Sequence, residues 1–202
     1  MRITIIGAGR VGTALGSGWQ GCGHDVTYGV RDPGDPRHQA LGSLATPGEA
    51  VVGADVVVVA LPWTAVADVV SDLALGDAVL VDATNPLAAN ARELVAHPEL
   101  SGAELIAQWS GSSRVVKAFN TTGSANLADP AYVGGTPAMF VAGDDAAAKQ
   151  VVIGLAADLG FEGIDGGPLS AAADLEHVAA LWIRLAYPLG HGPGIALSLL
   201  RR

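Results

Sequence analysis

The chain opens on a strand-forming run, Ile3-Thr4-Ile5-Ile6, stopped by a glycine at position 7. Similar runs recur at intervals of one helix length. Arg2–Ile6, Asp25–Val30, Asp55–Leu61, Ala78–Asp82, Arg114–Ala118, Ala138–Ala142 and Gly160–Asp165 read as strands. Several are rich in Val and Ile without polar alternation, which suits strands buried on both faces of a parallel sheet. Between them, Arg10–Gly21, Trp63–Leu75, Ser101–Trp109 and Asp144–Leu159 suit crossover helices, the last with Asp144 as its N-cap. This rhythm predicts an α/β fold built on a doubly wound, mostly parallel sheet.

After Gly166-Gly167-Pro168 the rhythm breaks. A helix is expected over Ala171–Tyr187, with Leu175, Val178, Leu181, Trp182 and Leu185 on its buried face. Pro188 ends it, Gly190-His191-Gly192-Pro193-Gly194 makes a turn, and Ile195–Leu200 reads as a short apolar helix. Residues 168–202 are therefore expected as a helical extension packed on the sheet or on a second subunit, too small for an independent domain.

Composition narrows the class. With 202 residues, 50% of them apolar and 15% charged, the chain suits one core-bearing domain with a small appendage, and disorder is excluded. Mean hydropathy is +0.39, yet the longest apolar run, Val56 to Trp63, falls far short of the ~20 residues of a membrane helix. The formal charge of −9, from 20 acids and 11 Lys and Arg, argues against nucleic acid and anionic membranes as partners. An anionic ligand must then be held by a few placed groups. Cys22 stands alone, and the five histidines show no ligand spacing, so neither a disulfide nor a metal is expected. Met1-Arg2 leads straight into a strand, which predicts no signal peptide and a cytoplasmic protein.

The chemistry begins at Gly7-Ala8-Gly9-Arg10-Val11-Gly12, a G-x-G-x-x-G between a predicted strand and a predicted helix. Gly7 permits the tight turn, Gly9 lets a pyrophosphate approach the backbone, and Gly12 lets the helix pack on the strand. The helix N-terminus supplies N–H donors and partial positive charge, to which Arg10 adds its own. Residues 1–167 thus read as a Rossmann-type dinucleotide-binding domain. Arg31 and Asp32, at the end of the second strand, pull in opposite directions. Asp32 would hold the ribose 2′-hydroxyl of NAD, whereas Arg31 would pair with the 2′-phosphate of NADP. The turn at Pro33-Gly34 carries Asp32 away from the strand axis, so Arg31 and NADP(H) are preferred. Arg37 reads as a solvated loop charge or as a second cation for that phosphate.

Further segments then become recognisable. They are Ala60-Leu61-Pro62-Trp63, Asp82-Ala83-Thr84-Asn85-Pro86, Val115-Val116-Lys117-Ala118-Phe119-Asn120-Thr121, Ala142-Gly143-Asp144-Asp145, Asp165-Gly166-Gly167-Pro168-Leu169, and Leu181-Trp182-Ile183 with the Gly190-His191-Gly192 turn. In order and spacing they resemble the coenzyme F420-dependent NADP oxidoreductase family, the NADPH:F420 reductases, from the first strand to the last helix. The related domain of the Steap-type ferric reductases shares the V-x-K-A-F-N-T segment. The resemblance implies hydride transfer between NADP(H) and the deazaflavin coenzyme F420, with the nicotinamide at the carboxyl ends of the central strands. It also implies that Arg31 holds the 2′-phosphate. Val30 stands where the family often has Ser, and Ala8 where it often has Thr or Asn, which removes two phosphate hydrogen bonds.

Hydride transfer between two cofactors asks the protein mainly to hold two rings face to face. Leu61, Pro62 and Trp63 would wall the nicotinamide pocket; Thr84, Asn85 and Pro86, with Ala118, Phe119, Asn120 and Thr121, would floor it. Phe119 reads equally well as core. Lys117 would either present its charge near phosphate or substrate, or snorkel to water from the sheet edge. Asn120 would bond a ring carbonyl or cap its turn. His24 is expected to be exposed, and His191 to lie in a surface turn or reach the deazaflavin. No acid–base dyad and no nucleophile motif is present, so no catalytic side chain is assigned. Imine, pyrroline-carboxylate and hydroxyacid dehydrogenases share the N-terminal fingerprint but need a larger helical domain. Two alternatives stay open: an NADPH-dependent flavin or ferric reductase, and a non-catalytic NADP(H)-binding sensor. The exposed side of the tail helix and the apolar end of the chain suggest a homodimer.

Overall fold

The computed structural model describes residues 1–88, 94–95 and 99–202. Among them one eight-stranded sheet runs in the order β3-β2-β1-β4-β5-β6-β7-β8. The strands are β1 (Arg2–Ile6), β2 (Asp25–Gly29), β3 (Ser43–Ala45), β4 (Val56–Val59), β5 (Val79–Asp82), β6 (Val115–Lys117), β7 (Ala138–Gly143) and β8 (Glu162–Gly167). All neighbouring strands are parallel except the β6–β7 pair. The helices are α1 (Arg10–Gly21), α2 (Pro47–Ala50), α3 (Val66–Val70), α4 (Gly102–Ser110), α5 (Ser124–Ala128), α6 (Ala146–Asp158) and α7 (Ala172–Ala186). The doubly wound architecture is therefore present. No helix among the described residues is long and apolar enough to cross a membrane.

The unbroken apolar runs of the central strands have a simple cause: both faces are covered. Ile3, Ile5, Val56, Val58, Val79, Val81 and Val116 join one core, with Leu15 and Trp19 of α1, Leu127 of α5 and Leu155 of α6. Ile6, Val57, Val59, Leu80 and Val115 join the other, with Val66 of α3, Ile106 of α4 and Ala172 of α7. Trp19 is fully buried and donates its Nε1–H to the Leu155 carbonyl at 2.9 Å, tying α1 to α6. The chain leaves β1 for β2 and β3 on one side and returns to β4 on the other. That reversal opens a crevice at the carboxyl ends of β1 and β4, where open α/β sheets bind ligands.

Several expectations are corrected. The short edge strand β3 carries no apolar run and was not expected; it exists because Val30 N–H donates to the Ala45 carbonyl and β2 offers an open edge. The segment expected as one helix, Trp63–Leu75, divides into a 3₁₀ turn at Trp63–Ala65 and the short α3. The N-cap of α6 is Asp145, whose carboxylate accepts from Ala148 N–H at 2.8 Å. Asp144 instead accepts from Leu169 N–H at 2.8 Å, anchoring the turn before α7.

The buried stripe of α7 is Ala172, Leu175, Glu176, Ala179, Trp182 and Ala186, whereas Leu181 is exposed. Small residues let α7 approach closely, and that rotates the larger Leu181 outward. The helix expected at Ile195–Leu200 does not form. Its carbonyls are captured from outside: Ala138 N–H donates to Leu197 O at 2.7 Å, and Trp182 Nε1–H to Ile195 O at 2.8 Å. Asn126 Nδ2 reaches both Pro193 O and Ile195 O at 3.0 Å. The tail is thus a strap, fixed by side chains that find their acceptors in it.

Asn126→Ala removes one of these clamps: Pro193 O loses its side-chain donor, and Ile195 O keeps only Trp182 Nε1–H. The variant is expected to lower stability in urea by about 1–3 kcal/mol and to make residues 188–202 the first site of limited proteolysis. A tail that stays protease-resistant in the variant would show that the strap is held otherwise.

Candidate functional site

The loop between β1 and α1 shows why it needs three glycines. Gly7 has φ +109°, and a Cβ there would lie 2.5 Å from Ala60 O. A Cβ on Gly12 would lie 2.1 Å from Gly7 O, so α1 can rest on its own approach strand only without a side chain at that position. At Gly9 the opposite holds: nothing lies within 4 Å of an added Cβ. Two glycines are demanded by packing, and the middle one faces open space. Gly9 caps α1 with its backbone and no side-chain acceptor, and the first turn carries no acid. The first N–H groups of the helix therefore remain available to an anion.

That open space continues into a cleft of about 470 Å³ whose lining includes Gly9, Arg10, Val11, Leu61, Pro62 and Trp63, with Thr84 and Asn85 opposite. The elements responsible are the ends of β1, β4 and β5. Trp63 is half-buried and leans on Trp109, with ring centroids 5.4 Å apart and planes tilted by 41°. Its rotamer is thus braced by α4.

Beyond Thr84 and Asn85, the predicted floor is placed differently. Pro86 lines a neighbouring cavity of about 430 Å³ with Ser101, Gly102, Glu176 and His177. Ala118, Phe119 and Asn120 are all buried behind the cleft. Phe119 is core: its ring meets Trp19 edge-on at 5.4 Å and 83°, and its φ of +61° turns the side chain away from the strand end. Asn120 backs Asn85. Its Nδ2 donates to Asn85 Oδ1 at 3.0 Å, and Asn85 Nδ2 donates to Asn120 O at 3.0 Å. A second Nδ2 bond, to Leu175 O at 3.2 Å, fixes the amide's orientation, and Asn120 Oδ1 is left buried without a donor.

At the end of β2, Asp32 Oδ1 accepts from Gly34 N–H at 2.9 Å, so its carboxylate is engaged in its own turn. Arg31 is exposed and makes no ion pair among the described residues. Arg37 is paired with Asp35, Nε to Oδ2 at 2.9 Å. Hydrogen bonds from the Arg37 side chain, then from its backbone, hold the Asp35 carboxyl down at about 2. Arg37 is thereby a locally neutralised loop charge.

Lys117 follows neither expectation. It is fully buried, and its ammonium donates to Asp82 Oδ2 at 2.8 Å, Thr84 O at 2.7 Å and Glu176 Oε1 at 3.0 Å. Asp82 and Lys117 are register partners across β5 and β6, on the face that carries α4. Asp82 Oδ1 accepts from Thr84 N–H and Oγ1–H, and Glu176 accepts from Gly102 N–H at the start of α4. The lysine charge is therefore spent inside the protein. His24 is also corrected: it is largely covered, with Nε2 2.9 Å from Asp158 Oδ2. His191 is exposed in the terminal turn, its N–H donating to Leu185 O. Glu176 was not singled out from sequence, although an acid inside an apolar helical stripe, paired with a lysine inside an apolar strand, was a readable signal.

A sequence model of the family described as NADP oxidoreductase, coenzyme F420-dependent, matches residues 2–86. The chain is 29% identical over 182 residues to the metalloreductase STEAP3 of Rattus norvegicus, covering 88% of this chain and 36% of that protein. It therefore spans about a third of the length of this curated relative. Among solved structures, a protein of Arthrobacter sp. FB24 described as a candidate F420-dependent NADP-reductase superposes with a TM-score of 0.88 and 29% identity, over 100% of both chains. The hypothetical protein SMa0349 of Sinorhizobium meliloti superposes with a TM-score of 0.76 and 27% identity, over 100% of this chain and 96% of that one. In sequence and in fold the chain is thus similar to NADP-dependent oxidoreductases.

The glycine geometry yields a contrast. Gly9→Ala, with room for its methyl group, is expected to cost no more than about 1 kcal/mol of stability. Gly12→Ala must push α1 off the loop and is expected to cost about 1–3 kcal/mol. Chemical denaturation of the two variants checks this; equal losses would mean that the loop yields at position 12.

Proposed function

We propose that this protein is an NADP(H)-dependent oxidoreductase that passes a hydride between the dinucleotide and coenzyme F420. The single observation that carries the reading is the open space over Gly9, running from the start of α1 into the cleft walled by Leu61, Pro62 and Trp63. A glycine with room to spare, set between two that have none, has no packing purpose. It fits a phosphate group brought against the backbone.

Each neighbouring group then has a task. The N–H groups of Arg10, Val11 and Gly12 bind the pyrophosphate, with the Arg10 guanidinium nearby. Arg31, with no ion pair of its own among the described residues, takes the 2′-phosphate, while Asp32 is held back by Gly34. Leu61, Pro62 and Trp63 shield one side of the nicotinamide from water. Asn85, held by Asn120, orients the carboxamide. The dinucleotide supplies the hydride, and no protein side chain need take part in covalent chemistry. The deazaflavin as second substrate is supported by the family matched over residues 2–86 and by the Arthrobacter protein.

A second reading is favoured by the metalloreductase relative, whose similarity runs over 182 residues and 88% of this chain. In that reading a flavin or ferric iron takes the place of the deazaflavin, and the dinucleotide half is unchanged.

NADPH is expected to bind at least about tenfold more tightly than NADH by isothermal titration, a difference of about 1.4 kcal/mol. Arg31→Ala should remove most of this difference, and Gly9→Ala should weaken both ligands. Equal affinities in the unmodified protein would defeat the NADP assignment. Mixed with NADPH and coenzyme F420, the protein is expected to bleach the deazaflavin absorbance. Turnover of FMN or FAD without such bleaching would establish the flavin reading instead.

A further inference from the structure

The buried cluster where β5, β6, α4 and α7 meet lies directly behind the cleft. Two carboxylates, Asp82 and Glu176, share the one ammonium of Lys117, with Gly102 N–H of α4 as a further donor to Glu176 at 2.9 Å. Such a cluster is a poor source of stability, since apolar residues of like volume commonly serve as well. What it supplies is direction: charge-assisted bonds that hold backbone and side chains in one geometry.

The atoms held are those of the cleft. Lys117 Nζ donates to Thr84 O, and Asp82 Oδ1 accepts from Thr84 N–H. Thr84 and Asn85 line the cleft, and Asn85 is locked to Asn120. Asn120 in turn donates to Leu175 O, the residue just before Glu176. Two consecutive residues of α7 therefore reach the same short segment by separate routes. Leu175 acts through Asn120 on Asn85, and Glu176 acts through Lys117 on Thr84. The buried Asn120 Oδ1, with no donor, shows that this arrangement is maintained even where it leaves an acceptor unpaired.

We propose that Glu176 is a positioning residue: acting through Lys117, it sets the Thr84–Asn85 segment and so the nicotinamide half of the cleft, leaving the phosphate half untouched. This rests on the dinucleotide reading above. The phosphate half, Gly7 to Gly12 and Arg31, lies on the β1–α1 loop, the start of α1 and the turn after β2, and makes no hydrogen bond to the cluster among the described residues.

The test compares two ligands on the full chain. NADPH occupies both halves of the cleft; 2′,5′-ADP reaches only the phosphate half. Glu176→Leu is expected to weaken NADPH about tenfold and to leave 2′,5′-ADP within about twofold, both read by isothermal titration. Glu176→Gln keeps an acceptor for Lys117 and Gly102 and should recover most of the NADPH affinity. Should Glu176→Leu fail to fold, Glu176→Ala, which is smaller and likewise leaves Lys117 paired with Asp82, carries the same expectation. Equal losses for both ligands, or undiminished NADPH binding in a folded variant, would overturn the proposal while leaving the dinucleotide reading intact. An unmodified protein that binds neither ligand would overturn that reading, and this proposal with it.

Discussion

Everything at the carboxyl end of the sheet depends on how closely α1 can sit against the end of β1. Gly12 fixes that distance, because any side chain there would strike the Gly7 carbonyl. Close contact aims the first turn of α1 across the crevice between β1 and β4 and leaves its N–H groups without partners. The third glycine, Gly9, is free of this contact and faces the space that results. One steric constraint inside the turn thus creates a donor-rich surface, and the loops after β4 and β5 only need to close around it.

The second constraint is electrostatic. A chain with a formal charge of −9 has few cations to place around an anionic ligand. Lys117 is consumed by Asp82 and Glu176, and Arg37 by Asp35. Arg10 and Arg31 make no ion pair among the described residues, and both lie along the edge of the glycine loop and β2. Backbone donors and the dipole of α1 do the remaining work without adding formal charge. The acidity of the chain and its affinity for a polyanion are therefore compatible.

Legibility followed physical range. The central strands could be read because burial on both faces leaves no polar residue in them, as in Val56–Val59. The span of α1 was readable to the residue, since a glycine motif starts it and the Gly21-Cys22-Gly23 turn stops it. The edge strand β3 was not, because pairing with β2 rather than its own composition makes it a strand. Residues 195–200, helical by pattern, form no helix for the same reason: Asn126, Trp182 and Ala138 bind their backbone from distant positions. In the site, the local turn residues Leu61 to Trp63 line the cleft at the end of β4. Phe119, open between cleft and core in the sequence, is core, since its left-handed φ rotates it toward Trp19, and a residue's backbone basin at a strand end is set by its neighbours in space.

The amino-acid sequence by itself determined the layered α/β architecture, the glycine loop with its order of strand, turn and helix, and the competition between Arg31 and Asp32. Each of these is a property of residues within about one helical turn of each other, or of a period repeated along the chain. Only the tertiary structure decided which charges are free and which are spent. Asp82, Lys117 and Glu176 are far apart in the chain and are brought together by sheet register and by the face that α7 presents. Whether a buried lysine serves a ligand or a neighbouring carboxylate depends on what the fold places within about 3 Å of it, and no local pattern encodes that distance.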